Sequence, residues 1–330
     1  MILAGDIGGT HARLALFRDN EQRSPARLEV FPSDEFSDFE SILERFLDAE
    51  SDAPHAASFG VAGPVRDGRS LPVNLEWAID SAAVASLLGL SVVGLINDLE
   101  AAALGLDALD SGDLRTVNVG VADPEGTRAI IAAGTGLGQA GLAKDGDTLV
   151  PIATEGGNAG FAPATHEQVR LLEFLRGEAG AHVSTEEVCS GYGLVNVYRW
   201  CLHEAGRSEP SWLRDPSCEI DVPAVVSGKA EDGSDVEAAR ALAAFAQIYG
   251  SEAGNLALRF MATGGVYVAG GMAMKLADSL VAGGFLDAFF DKGRLSDLLR
   301  SMPVHIVLND SVALIGAARH AARAGIGEAS

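Results

Sequence analysis
Two stretches of this chain follow one plan: a short apolar run, a glycine-rich turn and a second apolar run. The first is ILAGDIGGTHARLALF at residues 2–17, with apolar runs at 2–5 and 12–17 flanking DIGGTH; the second begins at residue 128 as RAIIAAGTGLGQAGLAKDGD. Short alternating apolar runs broken by glycine read as strand, tight turn, strand. A chain that opens each half with this unit is constrained to a duplicated α/β architecture of two domains. The cleft between such domains is where small-molecule sites usually lie. The 330 residues are enough for each domain to bury a core.

The intervening sequence supplies the other elements. Residues 28–31 read as a third strand, and SFGVAGPV and SVVGLIN as short buried strands. Ser37 and Glu40 form a capping box before a helix whose apolar residues Phe39, Ile42, Leu43, Phe46 and Leu47 follow helical spacing. Three further helix starts are expected: at Thr165 with Gln168, running to Gly177; at Ser184 with Glu187; and at Ser234 with Glu237 before a long Ala-rich run. GVYVAGG and VHIVLND return to strand pattern, with MAMKLADSL between them as a helix.

Charge limits the partners. A formal net charge of −22 argues against nucleic-acid backbone binding, which needs clustered Lys and Arg, and no Lys/Arg block suggests an anionic membrane surface. No apolar run approaches the roughly 18 to 20 residues of a membrane span. The N-terminus lacks the basic segment of a signal peptide. Cys189, Cys201 and Cys218 are too few for a disulfide framework and suit a reducing cytoplasm as inert thiols.

The glycine turns carry chemistry. A turn without side chains lets backbone N–H groups approach an anion. In the first, Gly8 and Gly9 offer that approach, Thr10 a hydroxyl, and Asp6 a carboxylate near a phosphate-bound Mg2+. The competing use is a hairpin that needs glycine for positive φ. The second turn spells G-x-G-x-x-G at Gly136, Gly138 and Gly141, but a strand follows where a dinucleotide site needs a helix. No phosphate-loop motif of the G-x-x-x-x-G-K-[ST] type occurs. Gly270 and Gly271 form a third turn, between a strand and a helix, where a phosphate or nucleoside could lie.

LINDLEAAALG, residues 95–105, raises a choice. Asn97 is a fit N-cap with Glu100 placed to complete a capping box, which makes Asp98 a first-turn acid favoured by the helix dipole. At the end of a strand beside a cleft, the same carboxylate is also placed to act as a general base.

Taken together, GDIGGTHARLAL, FGVAGPV, LINDLEAAALG, AAGTGLGQAGL, EGGNAGFAP, STEEVCSGYGLVNVY, GGVYVAGG and VHIVLNDSVALIGAA resemble the bacterial glucokinases of the hexokinase, Hsp70 and actin superfamily, in order and over essentially the whole chain. The resemblance implies two domains, each with a ribonuclease-H-like mixed sheet and flanking helices: a small one of residues 1–108 plus 310–330 and a large one of 109–309. It implies ATP with Mg2+ against Gly5, Asp6, Ile7, Gly8, Gly9, Thr10, Gly134, Thr135 and Gly136, with Asp6 holding the metal through water and the nucleoside near Gly270 and Gly271. A hexose would be held by Asn97, Asp98, Glu155 and Glu186, with Asp98 as the base. Asn74, in NLEW, is a weaker candidate. A homodimer is implied by the family alone. The activity implied is transfer of the ATP γ-phosphoryl group to the 6-hydroxyl of an aldohexose, D-glucose first, in glycolysis or related sugar catabolism. Vicinal sugar hydroxyls suit carboxylates that accept from two at once, while Glu186 also suits the first turn of a helix.

The family pattern EGGH has histidine where this chain has Asn158, and Gly160 is small where relatives often carry an acid. Asparagine keeps one donor and one acceptor but is shorter and does not ionise. Another hexose or an amino sugar is the alternative substrate, and a non-catalytic sugar sensor the more distant alternative. The cysteine-rich zinc motif of the related ROK kinases and repressors is missing, as is a helix-turn-helix before the first glycine turn. The seven histidines show no metal-ligand spacing.

Overall fold
A computed structural model describes residues 1–19, 21–48, 53–72, 75–180, 182–214 and 220–326. The chain forms two compact units. Unit 1 comprises Met1–Asp113, Ala140–Ala153 and the described part of Asn309–Ser330; unit 2 comprises Leu114–Gln139 and Thr154–Leu308. The division departs from the expected boundaries at residues 140–153, the outer part of a hairpin. These group with unit 1, where Arg323 donates to the Leu149 carbonyl.

The unit 1 sheet has strand order Arg27–Pro32, His11–Phe17, Ile2–Ile7, Ala56–Val61, Gly94–Asn97. The first three strands pair antiparallel and the last three parallel. Alternation along Ile2–Ile7 divides its side chains between two cores. Leu3 and Ile7 join Leu14, Phe59 and the helix Phe39–Leu47, whereas Ile2 and Ala4 join Ala101, Leu314 and Ile315 of the helices Asp98–Gly105 and Val312–Ile326. Asp6 follows Ile2 and Ala4 in this alternation. Its register partner in the next strand is Gly60, where an added Cβ would lie 2.9 Å from the Ala101 Cβ and 3.5 Å from the Asp98 Cα. Glycine there lets the Asp98 helix settle on the sheet.

A six-stranded sheet, which is part of unit 2 except for residues 140–153 of its hairpin, is ordered Thr148–Thr154, Leu137–Asp145, Arg128–Ala133, Gly265–Ala269, Val304–Val307, Leu114–Asn118. Its central pairs are parallel and its last pair antiparallel. The large core contains Tyr198, Trp200, Phe245, Tyr249 and Phe289, supplied by the helices Gly191–Glu204, Val236–Phe260 and Phe285–Phe290. The strand Leu137–Asp145 directly follows the second glycine turn, as expected from sequence.

Three helix starts differ from expectation. Asp38, not Ser37, caps the first helix, accepting from the Ser41 N–H, while Ser37 donates its hydroxyl to Asp38. Asp235, not Ser234, caps Val236–Phe260 and also accepts from the Tyr198 hydroxyl. No helix starts at Ser184, because the N–H groups of Thr185 and Glu186 are already given to the carbonyls of Ala159 and Gly157. The helix begins at Gly191, capped by Ser190. Cys189 and Cys201 are buried free thiols, and Cys218 lies outside the described residues. Among the described residues no helix is long and apolar enough to cross a membrane.

Candidate active site
In unit 1 the parallel strands deliver Asp6, Asn97 and Asp98 to one end of the sheet, with Asp6 level with Gly60 and Val61 level with Asn97. The helix start is held by a capping box. The Asn97 Oδ1 accepts from the Leu99 N–H at 2.9 Å, and Glu100 accepts from the Asn97 N–H at 3.1 Å. The Asn97 Nδ2 also donates to the Gly63 carbonyl at 3.2 Å. One amide N–H of Asn97 thereby remains for a further acceptor. The Asp98 carboxylate accepts from the Leu99 N–H at 3.0 Å. Burial, and then the Asp6 charge, push Asp98 up to about 7. Burial likewise raises Asp6, opposed by the Arg13 guanidinium and reinforced by Asp310. A like charge nearby makes ionisation of a carboxyl harder, as Asp6 does for Asp98 and Asp310 for Asp6.

The turn after Ile2–Ile7 is fixed by its own backbone. The Gly8 N–H donates to the His11 carbonyl, and Ser33 donates its hydroxyl to the Gly8 carbonyl and its N–H to that of Thr10. Neither Gly8 nor Gly9 has positive φ, so the backbone conformation does not demand glycine there; at Gly8 an added Cβ would lie 3.3 Å from the His11 carbonyl oxygen. Gly5 and Ile7 lie buried within the strand, whereas Thr10 is exposed.

Unit 2 holds the second turn. Its carbonyl at Gly134 accepts from the Gly191 N–H at 2.8 Å. A Cβ on Gly134 would meet nothing within 4 Å, and the residue has no positive φ. Gly134, Thr135 and Gly271 border a cavity of about 600 Å³ whose walls are mostly apolar. Gly270 has φ +88° and turns the strand Gly265–Ala269 into the helix Gly270–Lys275. Tyr192, Val222, Pro223, Met272 and Lys275 also line this cavity and are not identified by sequence motifs. Tyr192, in the first turn of the largely buried helix Gly191–Glu204, is exposed.

On the other side of the same turn, Glu186 accepts from the Leu137 N–H at 2.8 Å, and a Cβ on Gly136 would overlap its carboxylate. Glu155 precedes the short helical turn Gly156–Asn158 and is exposed, as is Asn158. Thr185 and Glu186 are stitched to this loop through the Ala159 and Gly157 carbonyls. The His182 ring lies 3.1 Å from the Asn158 carbonyl. Unit 1 thus brings together Asp6, Asn97 and Asp98, and unit 2 brings together Gly136, Glu186 and the loop of Glu155 and Asn158. Asn74 lies outside the described residues.

No group of three or more His, Cys, Asp or Glu side chains among the described residues forms a metal site. The donor set still fits Mg2+ bound with a nucleotide, because that ion takes one or two carboxylates and draws its other ligands from phosphate and water. Asp6, a carboxylate two residues before Gly8, would supply such a ligand in its ionised form.

The mixed sheets, the paired glycine turns and the acid at a capped helix start define a two-domain α/β sugar kinase fold. A family model for glucokinase matches residues 3–324. A glucokinase of Nostoc sp. is 37% identical over 98% of this chain and 99% of its own length, and one of Saccharophagus degradans is 33% identical over 96% of each. The crystal structure of a glucokinase from an Antarctic psychrotroph superposes with TM-score 0.84 at 30% identity, covering 98% of both chains. The chain belongs to the glucokinase family.

Proposed function
We propose that this protein transfers the γ-phosphoryl group of ATP to the 6-hydroxyl of D-glucose, giving glucose 6-phosphate and ADP for sugar catabolism. The observation that carries the mechanism is Asp98, fixed by its capping box and raised to about 7 by burial and Asp6. A base with a pKa near the working pH combines availability with proton affinity. Asp98 accepts the hydroxyl proton as the sugar oxygen attacks phosphorus. The free N–H of Asn97, the carboxylates of Glu155 and Glu186, and Asn158 hold the sugar hydroxyls. The N–H groups of both glycine turns cradle the phosphates, and the cavity beside Gly134 and Gly271 takes the nucleoside. Mg2+, held by Asp6 through water, would neutralise phosphate charge. Positioning dominates such a reaction, since phosphoryl transfer asks little covalent chemistry of the protein. The proposal includes a cytoplasmic location, where thiols stay reduced, and a homodimer, which rests on the family alone.

A coupled ADP-release assay over glucose, mannose, glucosamine and N-acetylated amino sugars tests the substrate. Glucose is expected to give the highest kcat/KM. The Asn158→His variant is expected to favour glucose over mannose by a further five- to tenfold or so, about one hydrogen bond. A different preferred sugar would overturn the substrate, and identical profiles for the two proteins would remove Asn158 from specificity. Sugar binding with no ADP release from any sugar would make the chain a sensor.

A further inference from the structure
Outside the groups already assigned, a buried polar cluster lies beneath the sugar loop. Gln139 is 1% exposed and Glu252, on the helix Val236–Phe260, is 5% exposed. The Glu252 Oε1 accepts from the Gln139 Nε2 at 3.0 Å and from Arg259 at 2.6 Å; its Oε2 accepts from the Asn255 Nδ2 at 2.9 Å. A carboxylate paired with arginine only accepts, so it fixes the Gln139 amide with its NH2 toward Glu252 and its Oε1 the other way. That Oε1 faces Gly156, where an added Cβ would overlap it. The Gln139 carbonyl accepts from the Thr154 hydroxyl at 2.9 Å, which itself accepts from the Gly156 N–H at 3.2 Å. Two residues earlier, the Leu137 N–H fixes Glu186 and the Leu137 carbonyl lies against Gly157. The segment from Leu137 to Gln139 is therefore the bed on which both sugar carboxylates of unit 2 rest.

We infer that Glu252 and Gln139 are positioning residues for sugar binding: Glu252 locks the Gln139 amide, and Gln139 sets the loop that presents Glu155 and Asn158. The inference rests on the proposed glucose kinase activity. Glu252→Gln keeps the shape of the side chain but can donate as well as accept, which releases the Gln139 amide to rotate. It is expected to raise KM for glucose by roughly five- to tenfold, one mis-set hydrogen bond, with kcat at saturating glucose and KM for ATP little changed. Gln139→Met, which keeps the length of the side chain but makes no hydrogen bond, is expected to raise KM for glucose by a similar factor, and the double variant Gln139→Met/Glu252→Gln to raise it little further than either single change, because both act through one contact. Thermal melts of each variant separate positioning from packing. A Tm loss with unchanged KM, or a double variant whose KM rises by the product of the two single effects, would overturn the inference while wild-type glucose turnover leaves the activity standing. A wild-type protein without glucose-dependent ADP release would remove the activity itself.

Discussion

Asp98→Asn is expected to lower kcat for glucose by ~10²- to 10⁴-fold, the usual worth of a positioned base, with little change in the glucose Kd measured by calorimetry. The asparagine Oδ1 can still accept from the Leu99 N–H, and the cap formed by Asn97 and Glu100 is untouched. Fold and sugar site should therefore survive while proton acceptance is lost. The variant should also be more stable than wild type at about pH 8. Asp98 has a folded pKa of about 7 against an ordinary 3.8, so between those values the folded state holds the proton more tightly than the unfolded one. Wild-type stability falls as pH rises through that window, and above it the whole cost of ionising Asp98 is present. The asparagine variant escapes that cost. The two melting temperatures should converge as pH falls toward about 4. Near wild-type turnover in Asp98→Asn would remove Asp98 as the base.

Gly134→Val is expected to raise KM for ATP by about tenfold or more, leaving Tm and KM for glucose close to wild type. The reason is the empty space around this residue: a Cβ there touches no protein atom and the backbone conformation tolerates a side chain. What valine would displace is the close approach of a phosphate to the turn, and a tenfold loss is only about 1.4 kcal/mol. An unchanged KM for ATP would mean that the phosphates lie elsewhere. Gly136 is the less informative choice, because a side chain there would strike Glu186 and disturb the sugar site as well.

The parts of this molecule that were legible in sequence are those fixed by local rules. The glycine turns marked both sheets, Asn97 with Glu100 marked the helix that carries Asp98, and Thr165 marked the cap of His166–Ala179. Local rules failed where a distant group competes for the same backbone. Ser184 and Glu187 look like a helix start, yet the loop around Gly157 and Ala159 takes the neighbouring N–H groups. Asp38 displaced Ser37 because its carboxylate reaches the Ser41 N–H directly. The charge state of Asp98 depends on its burial and then on Asp6, more than ninety residues earlier, and the Gln139–Glu252 contact spans 113 positions. No periodicity or spacing marks either pairing; both exist only once the sheets and the long helix have formed.

The most direct test is the pH dependence of glucose phosphorylation with both substrates well below saturation, which reports the free enzyme's essential base. The base must be ionised to accept the hydroxyl proton, so the rate should climb with pH through a limb near 7, set by Asp98, and level off above about pH 8. Residual turnover in Asp98→Asn should lack that limb. A wild-type rate that is flat between about pH 6 and 8, or a limb that persists in the variant, would contradict Asp98 as the group that takes the proton.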